Sequence, residues 1–203
     1  MKNFERFINF SDAVIAIAVT LLVLPLVEHA TSSNISSYRG FMSSFGNPLF
    51  IFLLSFVVIC RYWEVHHDLF SSLDSFNARL FWLNAAWLVS IVLIPFTSEL
   101  LGNNAESVFI TGVYIGSLLI TSYIGVAIQL EIVHSPDLQK PSAAKSLQST
   151  YGLASAIAMT LALVISIVFH QIGLWALLLL VPASYISKIL ENKRLPDWIQ
   201  RLR

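Results

Sequence analysis

A chain of 203 residues that is 56% hydrophobic and only 12% charged cannot make the exterior of a water-soluble domain, where about a quarter of residues are usually charged. Its net charge of zero excludes a global basic field for nucleic acid. Lipid in place of water resolves the shortage, so composition predicts one membrane-embedded domain with lipid as a partner and no nucleic acid.

The first apolar stretch follows Lys2 and Arg6 and imitates a secretory leader. Glu5 and Asp12 interrupt its flank, and Glu28 stands two residues before Ala30 where a cleavage site would need a small residue. A retained span is therefore expected. A helix needs about 20 residues to cross the hydrocarbon. Residues 13–27, 40–60, 80–98, 107–130 and 146–187 are free of Asp, Glu, Lys and Arg. The last gap has room for two spans, with His170-Gln171-Ile172-Gly173 as a polar turn near its middle. The reading is an all-α membrane protein of six helices, at about 5–28, 42–65, 78–100, 106–131, 146–170 and 173–190, with a basic tail at 191–203.

Orientation follows from the cations. With the N-terminus inside, Lys2, Arg6, Arg61, Arg79, Lys140, Lys145, Lys188, Lys193, Arg194, Arg201 and Arg203 are cytoplasmic, and only Arg39 is outside. That bias predicts a multi-pass protein of the cell (inner or plasma) membrane with both termini cytoplasmic. Asn47-Pro48 reads as a helix N-cap followed by a first-turn proline within span two. Cys60 is the only cysteine and reads as a small buried hydrophobe. No internal repeat is visible.

Span one is abnormal. Its fifteen uncharged residues cover only about 22 Å at 1.5 Å per residue. Crossing therefore draws Asp12, and with it Arg6, toward the hydrocarbon, where an ionisable group needs pairing or hydration. Such a helix belongs in the middle of an assembly. Ser11 as a simple helix cap beside Asp12 is the plainer alternative. Ile17, Thr20, Leu21 and Leu24 fall at i, i+3, i+4 and i+7. Spacing alone favours a helix-packing stripe over a pore lining.

The spelling Arg6-Phe7-Ile8-Asn9-Phe10-Ser11-Asp12, followed by an Ala/Ile/Thr/Leu-rich helix ending in Leu24-Pro25, resembles the signature of the transmembrane protein 175 family. Trp63-Glu64-Val65-His66-His67, Asn84 and Leu93-Ile94-Pro95-Phe96 are similar to further family segments. The resemblance implies a potassium-permeable cation channel, a homotetramer with the first helix of each copy lining a central pore. It implies constriction rings from Ile17, Leu21 and Leu24, and hydroxyls from Thr20 just beyond Ile17, so that potassium would pass near Ile17 and Thr20. It also implies a polar network of Arg6, Phe10, Ser11, Asp12, Trp63, His66, His67 and Asn84.

Other monovalent cations would share the path, and no cofactor is expected. The chain contains no Thr-Val-Gly-Tyr-Gly filter, so selectivity by stacked carbonyls is excluded and a dewetting apolar throat takes its place. A proton- or ion-coupled transporter using Asp12 with His66 or His67 is the alternative. An enzyme is not expected, since neither a nucleophile elbow nor a His-Glu-x-x-His motif is present.

Overall fold

Hydrocarbon offers no water to backbone N–H and C=O groups, so a lipid-exposed spanning segment must satisfy its own backbone as a helix. The structure is a computed structural model that describes residues 2–32, 37–104 and 106–140, with Ile157, Thr160, Leu161 and Val164. It comprises helices α1 (Lys2–Leu21), α2 (Leu24–Ser32), α3 (Tyr38–Ser71), α4 (Ala78–Asn103) and α5 (Val108–His134), then a 3-10 turn at Pro136–Leu138. Polar residues in the connections start the helices. The side chains of Ser37, Asn77 and Ser107 accept from the backbone N–H of Gly40, Leu80 and Ile110, filling one orphan donor in each first turn.

Four segments among the described residues are long and apolar enough to cross a membrane: Phe4–Thr31, Tyr38–Ser71, Ala78–Asn103 and Val108–His134. Of the expected span at 146–170 only Ile157, Thr160, Leu161 and Val164 are described, each helical; the expected span at 173–190 and the tail at 191–203 lie outside the described residues.

Prolines shape these helices. Pro25 has no N–H, and its ring crowds the carbonyl four residues earlier. The chain answers by breaking at Leu22 and Val23, whose N–H groups donate to Val19 and Thr20, both at 3.3 Å. Leu24 therefore opens a second helix. Pro48 corrects the sequence reading in the other direction. Helix α3 starts at the Ser37 cap and runs through Pro48 as an interior residue, so Asn47 caps nothing. A proline inside a membrane helix is tolerated where neighbouring helices and hydroxyls take up the freed groups. Cys60 is exposed on the protomer surface, not buried.

Helix α4 is the central post, packing against α1, α3 and α5. Its most apolar window is 50% buried, against 22% for the first span and 33% for the other two. Leu80, Ile91, Ile94 and Leu101 of α4 meet Ile15, Ala18 and Leu22 of the first span, Ile59 of α3, and Ile115 and Leu118 of α5. At one end Phe7 stacks on Phe76 and Phe81 at centroid distances of 4.6 and 5.6 Å. There the loops after α3 and α5 are tied together. The Asp74 N–H donates to Leu138 at 2.9 Å and the Lys140 N–H to Ser72 at 2.9 Å. Glu131 of α5 accepts from the Asn77 amide at 2.9 Å and from Arg79 at 3.2 Å, locking the foot of α4 to α5.

The loop bearing Ser75 and the loop bearing Asn104 close opposite ends of α4. In a Cys60→Ser background, Asn104→Cys is expected to react with an impermeant thiol reagent on intact cells. Ser75→Cys is expected to react only after permeabilisation. The reverse pattern would overturn the inside placement of the N-terminus.

Candidate functional site

At about 100° per residue, the buried residues Phe4, Ser11, Ile15, Ala18 and Leu22 fall on one stripe of the first span. This stripe faces α3 and α4. The opposite arc is exposed and carries Arg6, Phe10, Ala13, Ile17, Thr20 and Leu21. Phe10 and Ile17 are 61% and 59% exposed. Such exposure is compatible with lipid, but the arc also carries a cation and a hydroxyl. Leu24 is exposed too, on the far side of the break.

A chain of hydrogen bonds fixes this rotation. The Ser11 hydroxyl donates to the Phe7 carbonyl at 3.1 Å. The Asn84 amide nitrogen donates to Ser11 Oγ at 2.9 Å. That turns Asn84 Oδ1 toward His66 Nε2, 2.7 Å away. A carbonyl oxygen only accepts, so Nε2 carries a proton. Nδ1 is buried and has no partner among the described residues. The His66 ring lies between Phe70 and Trp87, with centroids at 4.3 and 4.4 Å and interplanar angles of 23° and 16°. Helices α1, α3 and α4 thus meet at three buried polar side chains, each with a partner that apolar surroundings would make costly to lose.

Asp12 sits at the edge of the exposed arc. Its Oδ1 accepts from Trp63 Nε1 at 2.9 Å, a charge-assisted bond from α3 to α1. The Trp63 ring leans against His67 at 5.6 Å, and His67 is itself exposed. The structure therefore groups the sequence candidates into two sets, Ser11–Asn84–His66 and Asp12–Trp63–His67. Arg6 and Phe10 join neither, and Arg6 has no ion pair among the described residues.

On the exposed arc, Thr20 Oγ1 donates to the Ile17 carbonyl at 2.7 Å. That spends its proton inside the helix and leaves oxygen lone pairs directed outward. Val19 is half-buried and packs on the core, so its environment differs from that of Ile17 by burial as well as by direction. Among the described residues, no group of three His, Cys, Asp or Glu side chains is placed to hold a metal ion.

Sequence reasoning missed several polar groups. Trp87, one turn after Asn84, shares its helix face, and that spacing could have marked it as a neighbour of His66. Tyr62 donates to the Leu118 carbonyl at 2.7 Å and lies 2.9 Å from Ser122 Oγ. Ser55 pairs with Tyr114 at 2.8 Å. These bonds tie α3 to α5, and nothing in linear spacing points to them.

Residues 6–95 match the family model described as the endosomal/lysosomal potassium channel TMEM175. A potassium channel of Chamaesiphon minutus is 34% identical over 98 residues, covering 47% of this chain and 48% of that protein. The rat endosomal/lysosomal proton channel TMEM175 is 25% identical over 100 residues, covering 49% of this chain and 20% of that protein. The chain thus spans about half or less of the length of these curated relatives. A solved Chamaesiphon minutus structure, described as a lysosomal potassium-selective channel TMEM175 homolog, superposes with a TM-score of 0.61 at 21% identity. The likeness covers 90% of this chain and 99% of that one, and it shows the fold. Together these matches show similarity to the TMEM175 family over the first half of the chain and a shared fold over most of it.

Asn84→Leu is expected to lower stability by about 1–3 kcal/mol, because it strands the His66 Nε2–H in an apolar site. Val57→Ala, at a side chain 62% exposed on α3, is expected to change little. Thermal unfolding of both variants in detergent, beside wild type, checks this. Equal melting of Asn84→Leu and wild type would mean the buried chain does not brace α1.

Proposed function

We propose that the chain is a subunit of a potassium-permeable cation channel, in which the exposed arc of α1 faces a central axis shared by four copies. The observation that carries this reading is the arc itself. The least buried of the four described spans has its polar side fastened inward through Ser11 and Asp12. Its outward side presents Ile17, Thr20 and Leu21. The family match and the potassium channel named among the relatives supply the class of activity.

In this reading, rings of Ile17 and Leu21 narrow the path, with Leu24 beyond the Pro25 break as an outer ring. A narrow apolar throat is unfavourable for water and more so for ions, so it gates by dewetting. The outward lone pairs of Thr20 offer a partly dehydrated potassium ion its nearest oxygens. With no carbonyl filter in the sequence, discrimination against sodium is expected to be modest. The membrane is the cell membrane, and both termini are cytoplasmic.

The transporter alternative requires Asp12 to exchange a proton with His66 or His67. Asp12 is bonded to Trp63 and His66 to Asn84, His67 lies against the Trp63 ring, and no hydrogen bond joins Asp12 to either histidine among the described residues. The described bonds give that reading no support.

Ile17→Ser shortens and wets the throat together. It is expected to raise cation current several-fold and to reduce the preference for potassium over sodium. Val89→Ser, at a side chain 61% exposed on α4 away from the arc, is the control. It is expected to leave both unchanged. Reversal potentials under bi-ionic conditions check the pair. Equal effects at the two positions would remove Ile17 from the pore.

A further inference from the structure

The geometry points to an ion pair between Arg6 of one copy and Asp68 of its neighbour that closes the assembly at its cytoplasmic end. This inference rests on the arrangement of copies around α1 proposed above.

Arg6 shares its arc with Ile17. If Ile17 faces the axis, Arg6 does too, and it is kept away from lipid phosphates. Guanidinium groups, always charged, would then gather at the mouth of a cation path. Like charges there repel each other and the permeant ion. Each needs an anion, and none of the described residues of its own protomer pairs with it. Asp12 is engaged by Trp63, and Glu64 by Arg61.

Depth and direction select Asp68. The Trp63–Asp12 bond sets α1 position 12 level with α3 position 63. These helices are successive spans and run antiparallel, so Arg6 stands level with the last turn of α3, at about 1.5 Å per residue. Asp68 lies in that stretch. It is two residues from the buried His66, about 200° round the helix, and so projects away from its own bundle. It is exposed and, like Arg6, has no ion pair among the described residues. Two unpaired opposite charges at one depth, both turned out of the same protomer, are complementary in a second copy of the chain. A carboxylate beside the guanidinium also leaves the cytoplasmic mouth neutral for cations.

The test uses the full chain in a Cys60→Ser background, with two differently tagged versions co-expressed. One carries Arg6→Cys and the other Asp68→Cys. A short bis-maleimide joins them, because an Arg–Asp pair separates Cα atoms by more than the roughly 7 Å a disulfide spans. The tags ensure that only a bridge between copies is scored. The mass of the uncrosslinked parent is measured alongside. Tetramers with a doubly tagged cross-linked dimer are the expected result. Charge reversal gives a second line. Arg6→Asp and Asp68→Arg are each expected to lose the tetramer, and their combination in one chain to regain it.

Tetramers that bridge only when Glu5→Cys replaces Asp68→Cys, or that do not bridge at all, would overturn the pairing while leaving the pore reading intact. A parent that stays monomeric would overturn both.

Discussion

The arrangement depends on the hydrogen bonds that Asn84 makes with Ser11 and His66. In apolar surroundings a buried amide must find partners, and here it finds one on each adjacent helix. Those two bonds fix how α1 is rotated against α3 and α4. Once the rotation is fixed, everything else on α1 is assigned a side. Ile15, Ala18 and Leu22 turn inward to the core, and Phe10, Ile17 and Thr20 turn outward. The bond from Trp63 to Asp12 reinforces the same setting from the flank of the arc. His66 is held in place by stacking on Phe70 and Trp87, so the donor that Asn84 receives comes from a ring with little freedom to move.

The helix break at Leu22 and Val23 divides the first span into a braced half and an outer half. The braced half carries the hydrogen-bond chain and Ile17. The outer half starts at Leu24 and is held mainly against α3. A narrow crevice behind the break is lined by Pro25, His29, Pro48 and Glu99 among others.

Much of this was legible in the sequence, for physical reasons. A charge-free gap long enough to span lipid almost forces a helix, so the four described spans could be read from Asp, Glu, Lys and Arg alone. Helix starts were less legible. Asn47-Pro48 spells a cap, yet Ser37 supplies the cap and α3 absorbs the proline. Leu24-Pro25 spells the end of a helix, and the break falls just before it, at Leu22 and Val23.

Long-range pairing is the least legible property. Ser11 and Asn84 are 73 positions apart, and Tyr62 and Ser122 are 60, so no local spacing relates them. The resemblance to a known family groups Arg6, Phe10, Ser11, Asp12, Trp63, His66, His67 and Asn84. The structure divides that group into two sets and leaves Arg6 and Phe10 outside both.

The central claim is that copies of this chain surround a continuous cation path. Recording the purified protein in a planar bilayer, with potassium on one side and sodium on the other, tests it most directly. The account predicts resolvable unitary currents whose reversal potential is displaced toward that of potassium. Ion flux without unitary events, or a membrane that stays silent with assembled protein present, would contradict it.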